Sequence, residues 1–242
     1  MPAGVTSVRV LAVGGGAGAC ACSRGGAGSG YIAGGTKAVT PGRSYTVVVG
    51  GGSAGFRTAT YPPTPGASSV STLISASGGT PKTASNGSAG GSGGGSGGLK
   101  ASNKPALCPD RGDGGTGGSD GETCENPDGP AAEVGVGGIG QGNVTWSEIL
   151  SIFKYQSFTA GAGGLAGRIT SGSWHYVSGG GGGGVLVNGE GPHAENGTGN
   201  KFHGQGGHGY GAGAGSGGNS YTSGCANGGA GAAGLVYIEW EQ

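Results

Sequence analysis

Residues 179–184 are six glycines in a row, running directly into Val185-Leu-Val187. A segment without side chains has no apolar face to bury and loses the most conformational freedom on ordering. It can be part of a fold only if neighbours pair its amides and carbonyls. Glycine runs recur at Gly14-Gly-Gly16, at Gly50-Gly-Gly52 and through 85–98, and 68 of the 242 residues are glycine, about four times the usual share. Hydrophobic residues make up 33% and charged residues 10%. A conventional apolar core cannot fill a chain of that composition, which excludes an ordinary helical or Rossmann-type enzyme. Collagen is excluded too, because it needs glycine at every third place and abundant proline, whereas these runs ignore that register and prolines number 11. Twelve basic and twelve acidic residues cancel, so no net field draws the chain to nucleic acid or an anionic membrane.

Taken alone, the Gly/Ser tract 85–98 reads as flexible linker. The rest of the chain reads as folded. Compact runs rich in Val, Ile, Tyr and Trp, bounded by Gly or Ser, predict strands over 5–13, 31–39, 45–49, 70–74, 185–187 and 235–240. Val8, Val10 and Ala12 alternate imperfectly with Ser7, Arg9 and Leu11, the pattern of a strand covered on both faces. The last strand is expected to close against the first, and Pro41-Gly-Arg43 to join 31–39 and 45–49 as a hairpin. Thr145-Trp-Ser-Glu148 is a capping box, with Ile149, Ile152 and Phe153 on one face, so a single α-helix is expected over 146–155. Glycine tracts can form left-handed threefold helices that lack internal hydrogen bonds and pair outward with neighbours. The expected fold is therefore one mainly β domain over 1–242, a β-sandwich-like sheet with an inserted bundle of polyglycine II helices and one short α-helix.

The order of the motifs carries a resemblance. Val10-Leu-Ala-Val-Gly-Gly-Gly16, Gly28-Ser-Gly-Tyr-Ile32 and Pro41-Gly-Arg-Ser-Tyr-Thr-Val-Val-Val-Gly-Gly-Gly52 open the series; the 179–189 tract, Gly191-Pro192, Gly209-Tyr210 and Gly234-Leu-Val-Tyr-Ile-Glu239 complete it. Over nearly the whole chain this resembles the extracellular glycine-rich domain of anaplastic lymphoma kinase and leukocyte tyrosine kinase receptors. It is still more similar to secreted glycine-rich proteins of marine invertebrates. The resemblance implies a β-sandwich with bundled polyglycine helices. Glycine-rich domains of phage tail-tip adhesins share the opening strand, the Tyr45 to Gly52 pattern and the closing strand. Springtail antifreeze proteins are similar in composition only, and strict Gly-x-x repeats are missing.

Cys20, Cys22, Cys108, Cys124 and Cys225 are odd in number, so at least one is free, paired between chains or metal-bound. Cys20 and Cys22 are too close to bridge comfortably, Cys108 with Cys124 would close a polar loop, and no zinc spacing is present; disulfides are expected rather than metal. Asn86, Asn143 and Asn196 begin N-x-[ST] sequons. With the cysteines they point to a secreted, extracellular protein. No signal peptide is read, the apolar run 8–13 being too short. No run of 18 apolar residues suggests a membrane span.

The G-x-S-x-G matches around Ser53, Ser92 and Ser96 are expected by chance at this composition and lack a strand-turn-helix setting. His175, His193, His203 and His208 lie in the last third, near Glu190 and Glu195, with no spacing that fixes a metal or general-base geometry. Trp174, His175, Tyr176, His193, Phe202, His203 and His208 are expected in contact loops, since aromatic and polar groups alternate there as on binding surfaces. Arg111-Gly112-Asp113, between Cys108 and Cys124, resembles the integrin-recognition tripeptide. The expected function is non-enzymatic and without cofactor. It is that of an extracellular structural protein that assembles with itself or scaffolds a matrix or mineral. The alternative is an adhesin whose loops bind a ligand or cell-surface receptor.

Overall fold

The computed structural model describes residues 1–20, 25–56, 62–81, 89–93, 98–100, 114–121, 137, 145–171, 174–197, 204–217, 219–220, 224–225 and 227–241. Its elements are β1 (Ser7–Val13), β2 (Ile32–Ala38), β3 (Val47–Val48), β4 (Ser68–Val70), β5 (Ile74–Ala76), β6 (Gly98–Lys100), α1 (Trp146–Leu150), β7 (Phe158–Ala160), β8 (Gly167–Ser171), β9 (Trp174–Ser178), β10 (Val185–Val187), β11 (Asn219–Ser220), β12 (Gly224–Cys225) and β13 (Leu235–Glu239). The chain is mainly β, and all strand pairs among the described residues are antiparallel.

β1 lies between β2 and β13, with Val13 opposite both Ile32 and Leu235; the end of the chain closes against its beginning, as expected. Val8, Val10 and Ala12 face one apolar cluster with Val70, Ile74 and Ala76 of the β3-β4-β5 sheet. Leu11 and Val13 face a second cluster with Trp146, Ile149, Phe158 and Val185. Burial on both faces accounts for the imperfect alternation of β1.

Three local expectations are corrected. The Pro41-Gly42 turn forms, with Gly42 at φ +73° and the Arg43 amide donating to Thr40, but β3 does not pair with β2. It crosses to β4, placing Val47 opposite Val70, because that second sheet covers Val8, Val10 and Val39. The expected strand over 70–74 is instead a hairpin. Ser71 at φ +43° turns the chain, and its hydroxyl accepts the Thr46 amide at 2.8 Å. The helix keeps its capping box, Thr145 with Glu148, but stops at Leu150. The amides of Lys154 and Tyr155, which a longer helix would direct to residues 150 and 151, donate instead to the Glu239 carboxylate.

Between the strands the glycine segments pair with one another through a repeat of three. The Gly14 and Ala17 amides donate to Tyr31 and Gly28, those of Gly16 and Ala19 to Ala232 and Gly229, and those of Gly15 and Gly18 to Gly66 and the Ser53 hydroxyl. In 179–184, Gly181 and Gly184 donate to Gln205 and His208. The carbonyls of Gly181 and Gly184 accept from Gly164 and Gly161, and those of Gly179 and Gly182 from Ser216 and Gly213. Except for Gly15 and Gly18, residues i and i+3 of these runs thus meet the same neighbouring segment, the repeat expected of a threefold helix. Side chains occur where segments leave room for them: Ala17, Ala19, Ala27, Ala194, Ala212, Ala214 and Ala232 form a buried cluster.

Candidate functional site

Two surface features and one charged cluster stand on this frame. The first feature is β3. Among the described residues it is an edge strand, and Val47, Val48 and Val49 are 46%, 48% and 53% exposed. Thr46 exchanges bonds with Ser71, its amide donating to Ser71 Oγ and its carbonyl accepting the Ser71 amide at 2.7 Å. Antiparallel alternation then turns the amides and carbonyls of Val47 and Val49 to the open edge. Residues 44–56 contain no charge and no proline, so the charges and prolines that usually blunt such an edge are missing.

The second feature is the pair His193 and His208. The sequence places them fifteen positions apart in separate loops; the structure sets them opposite each other in an antiparallel bridge, ring centroids 4.0 Å apart and planes at 63°. His193 is exposed and His208 half-buried. Burial, and then the charge on His193, push the His208 imidazole below its ordinary value. The unfolded chain therefore takes up the His208 proton first. Its contribution is fully present above about pH 6.5 and is lost as pH falls through the lower folded value. His208→Gln is expected to flatten this part of the melting temperature against pH, measured by circular dichroism.

The charged cluster was not read from the sequence. Buried Glu239 accepts from Arg9 Nη1 at 2.9 Å, the Lys154 and Tyr155 amides at 2.8 and 3.2 Å, and the Tyr237 hydroxyl at 3.2 Å. Glu241 takes Arg9 Nη2 at 2.8 Å and the Lys154 ammonium. Burial pushes the Glu239 carboxyl up, but its donors outweigh that and hold it below the usual value; Lys154 and then Arg9 hold Glu241 at about 2. The available signal was a glutamate inside the apolar run 235–240.

A family model described as a glycine-rich domain matches residues 1–241. The chain belongs to this glycine-rich domain family. No curated protein matches it, and no solved structure does.

The other candidate residues of this glycine-rich domain are dispersed. Trp174, His175 and Tyr176 lie not in a loop but in β9, the middle strand between β6 and β8, where ladder pairing takes up their backbone. Cys20 is buried in the glycine bundle, and Cys225 lies in β12, opposite Asn219. Asn196 is exposed and its Oδ1 accepts the Gly206 amide at 2.7 Å. Cys22, Cys108, Cys124, Arg111, Gly112, Asp113, Asn86, Asn143, Phe202 and His203 lie outside the described residues. Ser53 and Ser92, the centres of two G-x-S-x-G matches, are buried with their hydroxyls accepting the Gly18 and Gly118 amides. They stand in for carbonyl oxygens of the bundle. Among the described residues no helix is long and apolar enough to cross a membrane, and no group of three His, Cys, Asp or Glu side chains converges.

Proposed function

We propose that this glycine-rich domain is a non-enzymatic extracellular structural module, its threefold segments polyglycine II helices, which associates with copies of itself in a matrix or on a mineral. The uncharged edge of β3 carries the reading: among the described residues nothing pairs with the backbone of Val47 and Val49 on that edge, which lies beside exposed valine side chains. A second β3 running antiparallel offers the same groups in return, and zero net charge leaves no long-range repulsion between copies. Kinship to the secreted proteins of marine invertebrates or to the receptor domains belongs to this proposal, as does the extracellular setting.

Light scattering under reducing conditions tests it. Mass is expected to rise with concentration in the native protein. In Val48→Lys it is expected to stay monomeric while folding stability changes by no more than about 0.5 kcal/mol, as for most surface substitutions. A concentration-independent native monomer, with divalent ions or silicate present as well, would count against assembly. The second reading, an adhesin, draws on the segment 188–196, where Asn188, Glu190, Pro192, His193, Glu195 and Asn196 are all exposed. That reading predicts receptor or matrix capture that Val48→Lys leaves intact.

A further inference from the structure

His193 and His208 are held in the arrangement that brings cross-strand side chains closest. The Ala194 amide donates to Gly207 at 2.9 Å and the Gly209 amide to Pro192 at 2.7 Å. With the bonds on the flanking residues, the histidines form a non-hydrogen-bonded antiparallel pair. His208 is also fixed from behind, donating to Ala162 and accepting from Gly184 of the glycine run. The backbone of the pair is thus clamped from several sides while the rings meet at the surface, 4.0 Å between centroids.

We propose that His193 and His208 form a two-imidazole site for a divalent transition-metal ion of the nickel, copper or zinc class, reached from solvent on the His193 side. Two imidazole nitrogens bound at about 2.0–2.1 Å to one ion stand roughly 3.0–3.4 Å apart. Centroids 4.0 Å apart put the two rings in contact, and the exposed His193 is free to turn toward that spacing. Imidazole suits these ions, and water fills the remaining positions. The metal displaces protons, so binding needs both rings neutral. Burial and His193 favour that form of His208 near neutral pH. Among the described residues, the titratable group facing His208 is His193; Glu190 and Glu195 are exposed on the flanking segment. The site stands independently of self-assembly, because both histidines belong to one chain and neither is part of the β3 sheet.

Titration of the full chain with nickel chloride, by calorimetry and by broadening of the histidine ring proton resonances, tests the site. One equivalent is expected to bind at about pH 7.5 and to weaken at least about tenfold at pH 5.5, below the ordinary histidine value. Two of the four histidine signals should broaden first. His193→Ala and His208→Gln are each expected to weaken binding at least about tenfold through loss of a ligand. The double variant His175→Ala with His203→Ala is expected to bind as the native chain does. His193 is exposed, so His193→Ala keeps the test valid even if His208→Gln fails to fold. Unchanged affinity in His193→Ala, equal broadening of all four histidines, or no saturable binding near neutral pH would overturn the site.

Discussion

Gly181→Ala is expected to abolish cooperative folding, whereas Gly51→Ala leaves the fold intact and raises its stability by about 0.4–1 kcal/mol. A Cβ on Gly181 would lie 1.9 Å from the Gly213 carbonyl oxygen and 2.4 Å from its carbon. Those atoms belong to a backbone segment whose Gly213 amide donates to Gly182, so no flexible side chain can move aside. Overpacking an apolar core costs about 1–3 kcal/mol. Here the segments must also separate, breaking the bonds that repeat every three residues, and the cost exceeds that range. Gly16→Ala, with its Cβ 1.9 Å from the Ala212 carbonyl oxygen, should behave in the same way. Gly51 has open space on its side-chain face and no positive φ, so alanine there mainly restricts the unfolded chain. Thermal melts of the three variants decide the matter; a cooperative Gly181→Ala protein with a near-native midpoint would show that the bundle is not close-packed.

Glu239→Ala is expected to cost at least about 2 kcal/mol, because hydrogen bonds to a charged group contribute about 1.5–3 kcal/mol each and are not additive. The substitution strips a buried acceptor from Arg9, Tyr237 and two main-chain amides at once. It also loosens the seam where β13 closes on β1 beside the end of α1. Glu239→Gln should lose less, since it keeps the shape and one acceptor oxygen. Glu241→Ala should change little, its pairs with Arg9 and Lys154 being solvent-exposed. Both carboxyls are held below their unfolded value. The unfolded chain therefore binds their protons first, and their contribution is present above about pH 4.5 and lost as pH falls toward 2. Denaturant melts across that range should show a shallower acid loss in Glu239→Gln, below the pH at which the His208 contribution begins to fall, about 6.5.

Local pattern was enough to read the parts of this domain whose causes are local. The two-sided burial of β1, the strands at 185–187 and 235–239 and the Thr145–Glu148 cap all follow from side chains within a few positions. Outward pairing of the glycine runs follows as well, because a run without an apolar face must satisfy its amides and carbonyls on neighbours. Tertiary structure decided the rest. The turn at 41–42 is written in the sequence, yet β3 was carried across to β4 by the need to cover Val8 and Val10. The helix stops at Leu150 because a glutamate 85 residues beyond Lys154 claims its amides. His193 and His208 meet only because the segments carrying them are bonded together at 192–194 and 207–209. Above all, the choice of neighbours among the glycine segments is invisible in one dimension. Every glycine offers the same amide and carbonyl, so packing in three dimensions alone selects which segment answers which.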